Sequence, residues 1–349
     1  MIRSYRRPLA AAAAVGVLSV GLLFAGVAGA QSDEVNISGS STVEPITSLA
    51  AELFAEKQPD AVIRVDGPGT GDGFQLFCQG ETDLSDASRA IKDEEATACQ
   101  AAGIEYTELP VGIDGLTVVA NTSSKIKCLS FNDLYAIFGP ESGGGQTDLA
   151  DASALATELG GSKAPTSGTV KKYTPGPESG TYDSFIEIAT QEIQDAQLDA
   201  GKIPADKVGT NDEGEPEVTE PIISAGTFPN DNDIVRRIEG SKNGLGFFGF
   251  SYFQANKGDL KAVAIENPDT GKCVKPTAKT IKDGSYPISR TLYVYPNNAK
   301  VSENATLKTF LGYYLTKKNL TKLVTQAGYV PLATADIQST VEAWQGLAG

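Results

Sequence analysis

The chain has 349 residues, of which 40% are hydrophobic and 21% charged, enough for two domains that each bury a core. Its formal net charge of −15 argues against nucleic acid as a partner, since proteins that hold it show basic patches. It has no histidine, which excludes Ser-His-Asp and Cys-His catalysis and the usual His-containing zinc sites.

In chain order, Arg3, Arg6 and Arg7 precede an apolar run from Leu9 to Val27 that closes on Ala28-Gly29-Ala30. This pattern predicts a signal peptide over residues 1–30 with cleavage after Ala30, and a retained membrane anchor is the competing reading. Losing three arginines with the leader takes the charge from −15 to −18. An anion bound by such a chain is held by local dipoles and hydrogen bonds, not by the field of the whole protein.

Val35-Asn36-Ile37 reads as a strand that runs into Ser38-Gly39-Ser40-Ser41-Thr42-Val43 and then into a helix over 45–57, with Ile46, Leu49, Ala50, Leu53 and Phe54 on its buried face. Val62 to Val65 forms the next strand, followed by Gly67-Pro68-Gly69-Thr70-Gly71-Asp72-Gly73 and a short helix through Phe74, Leu76 and Phe77. Residues 82–91 bring a short buried strand to a polar end at Ser88 and Arg89, and a helix spans Glu94 to Ala101. Gly115 to Ala120 is strongly apolar, and Phe131 to Phe138 reads as a helix. Residues 141–172, rich in Gly, Ser, Thr and Ala, read as surface loops or a small insertion, and the acidic stretch 200–221 as solvated loop.

Gly176 to Phe185 is a turn-forming run leading into helical spacing, which places Ser179, Gly180 and Thr181 at the first turn of a helix. Unpaired N–H groups, two hydroxyls, a glycine and the positive end of a helix dipole suit a tetrahedral anion there. An ordinary N-cap is the alternative for any single start of this kind. Two further hydroxyl-bearing starts, at Ser41-Thr42 and Thr70, weigh against coincidence.

A helix around Ile234, Val235 and Ile238, a buried strand and turn over 244–253, and a second long strand over 286–295 follow. Helices near 304–327 and 333–346 close the chain. Alternating strands and helices indicate α/β lobes with mostly parallel sheet. Strands near 115–120 and 288–295 that both cross between lobes would build the first lobe from both chain ends. Cys78, Cys99, Cys128 and Cys273 allow three pairings. The favoured one joins Cys78 to Cys99, which are near in sequence, and Cys128 to Cys273, beside strands of one lobe.

The ordered set Ser38–Val43, Gly69–Phe74, Asp86–Ile91, Asp114–Asn121, Ser179–Thr181 and Tyr286–Arg290 resembles the phosphate-binding proteins of bacterial ABC importers. These belong to the two-lobed periplasmic binding proteins, type II. The resemblance implies two Rossmann-like α/β lobes joined by two crossing strands, with residues 31–119 and 291–349 in lobe 1 and 120–290 in lobe 2. It implies hinge closure over a ligand, no cofactor, no metal, an exported monomer in the periplasm or cell envelope, and a membrane permease as partner.

Carried over by residue, Ser41 and Thr42 would donate hydroxyls and Val43 a backbone N–H. Thr70 and Gly71 would contribute from the second loop, with Ser88 beside them. Ser179, Gly180 and Thr181 would bind from the other lobe, replacing the anion's hydration shell. The family's arginine before the Ser-Gly-Thr turn is missing, since Thr174 to Pro177 stand there. Arg89 stands where some members have a proton-accepting acid, and is expected to touch the anion itself, with a salt bridge to Asp86 or Asp93 as the structural alternative. Asp72 and Asp114 are then the candidate proton acceptors. A receptor for another tetrahedral oxyanion (sulfate, tungstate or a phosphonate) and an exported metal-dependent phosphomonoester hydrolase are the competing functions.

Overall fold

The structure is a computed structural model that describes residues 34–349 apart from 178, 212 and 213. The expected leader, residues 1–30, lies outside the described residues.

The strands are β1 (Val35–Gly39), β2 (Ile63–Asp66), β3 (Leu84–Ala87), β4 (Leu109–Asn121), β5 (Cys128–Leu129), β6 (Gln146–Asp148) and β7 (Thr169–Tyr173). They continue as β8 (Val208–Thr210), β9 (Pro216–Val218), β10 (Gly244–Gly249), β11 (Leu260–Ala262), β12 (Ala264–Asn267), β13 (Lys272–Val274) and β14 (Ser289–Pro296). One sheet runs β2-β1-β3-β14-β4-β10-β7-β6, with β11 also paired to β4.

The 13-residue β4 is the axis of the molecule, and its near-continuous burial suits a strand covered on both faces. Its first half pairs antiparallel with β14, from Leu109 opposite Val294 to Gly115 opposite Ser289. From Leu116 to Ala120 it pairs instead with β10, and from Val119 to Asn121 with β11. One strand thus serves two lobes. The segment entering β14 runs beside it, with Leu116 N–H donating to Ile288 O at 3.0 Å.

In the first lobe β1 lies parallel to β2 and β3, and the helices Glu44–Ala55 and Ala305–Tyr314 meet through an edge-to-face contact of Phe54 and Phe310. In the second, Phe185 stacks on Phe247 with ring centres 3.9 Å apart, and Phe138 packs edge-on against both. These rings bury a large apolar area, and their stacked and edge-on arrangement adds a modest favourable contribution to it. This is the expected two-lobed α/β fold, but the sheet is not mostly parallel as expected, because β14, β10 and β11 all run antiparallel to β4 and β14 also runs antiparallel to β3. Both favoured disulfides are present: Cys78–Cys99 ties the helix Thr70–Cys78 to Asp93–Ala101, and Cys128–Cys273 ties β5 to β13.

Residues 141–172 are a correction. They are not surface loops: they form β6, the helix Leu149–Glu158 and β7 at the edge of the second lobe's sheet. The helix buries Leu149, Ala152, Ser153 and Ala156, and small side chains give a weak hydrophobic period in sequence although they pack closely in space. Lys172 on β7 is wholly buried, and its Nζ donates to Ile137 O and Ser142 Oγ, each at 2.7 Å. Burial pushes that amine down to about 7. The last helical region also differs, as the expected helix near 304–327 is broken at Leu315-Thr316 into Ala305–Tyr314 and Lys317–Gln326.

Candidate functional site

The first wall begins where β1 gives way to the helix Glu44–Ala55. That helix starts at Val43 with no side-chain cap, so the hydroxyls just before it are not spent on its own N–H groups. Val43 N–H turns back to Ser40 O at 3.0 Å, and Thr42 N–H to Ser40 Oγ at 3.2 Å. The second loop is tied to the first by Gly69 N–H donating to Gly39 O at 2.9 Å. Gly69 has φ 124, a region only glycine enters freely, and it opens the helix Thr70–Cys78, also without a side-chain cap. Thr70 Oγ1 and Ser88 Oγ lie 2.9 Å apart, and Ser88 N–H donates to Thr70 Oγ1 at 3.2 Å.

The opposite wall is the helix Gly180–Phe185, capped by Ser179, whose Oγ accepts from Thr181 N–H at 3.3 Å. Beyond it the chain makes a π-helical insertion, Ile186–Thr190, before the helix Gln191–Asp199. Such insertions are frequent at functional sites because they re-aim side chains. Here Ile186 and Glu187 line a cleft of about 280 Å³ together with Asp183, Gln191, Ser40, Ser41, Thr42, Pro68, Gly69, Thr70 and Ser88.

The two walls touch. Ser41 Oγ donates to Asp183 Oδ2 at 2.8 Å, Thr42 Oγ1 lies 3.0 Å from Ser184 Oγ, and it donates to Gly180 O at 3.3 Å. Gly180 is required by this approach, because a Cβ there would lie 2.9 Å from Ser41 O and 3.0 Å from Thr42 Cα. Arg290, at the start of β14, donates through one nitrogen to Ser184 Oγ at 2.7 Å and Thr42 Oγ1 at 3.2 Å, and through the other to Glu187.

Of the residues singled out in the sequence, Ser41, Thr42, Thr70 and Ser88 line one cleft, and Gly180 closes against it. Gly71 and Asp72 are exposed. Val43 is buried, and Ser179 and Thr181 are half-buried outside the cleft lining. Arg89 does not line the cleft, and its salt bridge is a correction, since the partner is neither Asp86 nor Asp93. It grips Glu95 bidentately at 2.7 and 2.8 Å and lies over the Phe74 ring. Glu95 is already fixed by Lys92 N–H at 2.8 Å, so a pre-ordered carboxylate six residues away captures the guanidinium.

Asp114 is wholly buried opposite Arg290 in the β4–β14 register. Burial raises its carboxyl above the usual range, and Arg290 only partly offsets this. Asp183 is also raised, by burial first, with the Ser41 hydroxyl bond opposing.

Against this geometry, a family model described as the PBP superfamily domain matches residues 26–318. The chain belongs to the PBP superfamily. Within that superfamily it is 35% identical over 306 residues to the protein SphX of Synechococcus elongatus, covering 87% of this chain and 79% of that one. It is 35% identical over 304 residues to the phosphate-binding protein PstS of Staphylococcus saprophyticus, covering 87% and 82%. Among solved PBP structures, that of a possible phosphate binding protein from Planctomyces limnophilus superposes with a TM-score of 0.75 at 30% identity, covering 91% of this chain and 99% of that one. A phosphate transport receptor from Vibrio cholerae, at 19% identity and TM-score 0.57, shares the fold.

In this PBP chain the sequence reading missed Asp183, Ser184, Glu187 and Arg290. Asp183 and Ser184 stand three and four residues after Gly180, on the same helical face, which is the signal that could have found them. Glu187 is displaced by the π insertion, which no local pattern announces. Arg290 lies inside a motif recognised for its strand.

Proposed function

We propose that the protein is an exported, non-catalytic receptor that holds inorganic phosphate in the cleft between its lobes and presents it to the permease of an ABC importer. The observation that carries the reading is the convergence of Ser41, Thr42, Thr70 and Ser88, from three separate segments, on one cleft closed by a helix of the other lobe. Of the two helix starts on the first wall, that of Thr70–Cys78 is uncapped and leaves first-turn N–H groups for an anion, whereas at Glu44–Ala55 the Val43 and Glu44 N–H groups, the former expected to bind the anion, are both taken by Ser40 O. The kinship with the phosphate-binding protein PstS supports the same ligand class. On β4 the partner changes from β14 to β10 between Gly115 and Leu116, a few residues before the expected boundary at 119/120, and we read Gly115-Leu116 as the hinge on that strand. No helix among the described residues is long and apolar enough to cross a membrane, and we read the mature protein as a monomer of the periplasm or envelope.

The phosphate proton is assigned to Asp183. Asp72 faces solvent and Asp114 lies behind Arg290, whereas Asp183 lines the cleft. A carboxylate there repels an anion without a proton, such as sulfate at neutral pH, and accepts a hydrogen bond from one that keeps its proton. Calorimetry with phosphate and sulfate tests both points. Heat with phosphate alone supports the reading, and Asp183→Asn should weaken phosphate binding while admitting sulfate. Equal affinity of the unaltered protein for both anions would replace it with a general oxyanion receptor, and turnover of a chromogenic phosphate ester would replace it with a hydrolase.

A further inference from the structure

We infer that Arg290 is the positioning residue of this cleft: anchored on a strand shared by the lobes, its guanidinium orients the Thr42 hydroxyl toward the anion and fixes Thr42 and Ser184 at one separation. The inference rests on the phosphate-receptor reading above. Arg290 does not line the cleft, and Thr42 does. Its terminal nitrogen reaches Ser184 Oγ at 2.7 Å and Thr42 Oγ1 at 3.2 Å, and those two oxygens are 3.0 Å apart.

A guanidinium only donates, while each hydroxyl has one proton and two lone pairs. Arg290 therefore occupies a lone pair on each oxygen. Because Thr42 donates to Gly180 O, we read Ser184 as the donor in their shared contact, which fills both Thr42 lone pairs and turns its proton away from Arg290. With Ser184 as donor, the acceptor left to Thr42 among the described residues is Gly180 O at 3.3 Å, a long bond that an anion oxygen in the cleft can replace. Without the cation, Thr42 is free to turn a lone pair to the anion, which is repulsive.

The surroundings hold the guanidinium still. Its side chain is 13% exposed, one nitrogen is bound by Glu187, and Asp114 faces it across the strand pair. Arg290 Nε and Asp114 Oδ2 are both buried without hydrogen-bond partners, a cost that a purely structural ion pair would be expected to avoid. Thr42 belongs to the first lobe and Ser184 to the second, so a cation on the connecting strand is the fixed point to which both come. A lysine cannot reproduce this, since a single ammonium lacks the planar fork that serves Glu187 and the hydroxyl pair at once.

The test is a double-mutant cycle read by calorimetry with inorganic phosphate, using Arg290→Met, Thr42→Val and both together. Each single change is expected to weaken binding about ten- to a hundredfold, and the double to be no weaker than the worse single within about threefold. Arg290→Lys is expected to recover only a small part of the loss. Should Arg290→Met fail to fold because Asp114 loses its counter-charge, Arg290→Lys carries the same cycle. Losses that multiply, or an Arg290 variant within twofold of the unaltered protein, overturn the inference while leaving the receptor reading intact. An unaltered protein that binds no phosphate overturns the receptor reading itself.

Discussion

Replacing Gly180 by alanine adds one methyl group where the lobes meet. The new Cβ would lie 2.9 Å from Ser41 O, 3.0 Å from Thr42 Cα and 3.1 Å from Ser41 C, all backbone atoms that cannot rotate away. Ordinary carbon contacts begin near 3.5 Å, so the walls must part by about half an ångström. Overpacking of this kind costs roughly 1–3 kcal/mol. The cost falls only on the closed arrangement, because in an open one the methyl meets solvent, so it appears as about a five- to 150-fold loss of phosphate affinity. Folding should not suffer. Gly180 is outside the positive-φ glycines, and alanine in a helix is favoured over glycine by up to about 1 kcal/mol. The expected result is weakened calorimetric binding and reduced phosphate-induced compaction in small-angle scattering, with an unchanged or higher melting temperature. An alanine variant that binds within about threefold of the unaltered protein and compacts equally would refute the claim that this contact defines the closed site.

Removing Cys128–Cys273, which closes a separation of 145 residues, should cost about 5 kcal/mol, against about 3 kcal/mol for Cys78–Cys99 at 21, if denatured-state entropy dominates. Urea unfolding of the paired serine variants checks the order. Lys172 is lowered by burial to about 7, so the unfolded chain binds the extra proton between about pH 7 and 10, and stability should rise with pH across that window. Lys172→Met should flatten that rise, and a slope unchanged in the variant would place its origin elsewhere. Asp86 is raised to about 8, by burial above all, and among the described residues its carboxyl has a single hydrogen bond, from Thr47 Oγ1 at 3.0 Å. Its folded form keeps a proton that the unfolded chain loses, so stability should fall from about pH 4 to 8. Asp86→Asn should remove that fall and stabilise the protein at neutral pH in thermal melts.

Much of the fold was legible because its determinants are local. The helix at Phe131–Phe138 and the one around Ile234 announce themselves by apolar period, and the Ser-Gly-Thr start by its cap residue. The helix Leu149–Glu158 was missed because alanines pack a helix closely without the hydrophobic contrast that a pattern requires. The order of elements along the chain and the hydroxyl-bearing starts follow from turn chemistry and side-chain spacing, which act within a few residues. Which partner each arginine finds does not. Arg89 stands beside the right loop but finds Glu95 six residues on, whereas Arg290 reaches Thr42 across 248 residues. Sequence by itself determined where hydroxyls and backbone donors could be offered to an anion. Only the tertiary structure decided which of them share a cleft, because a pairing between remote segments depends on the path of β4 and β14 through both lobes, and no local spacing encodes that path.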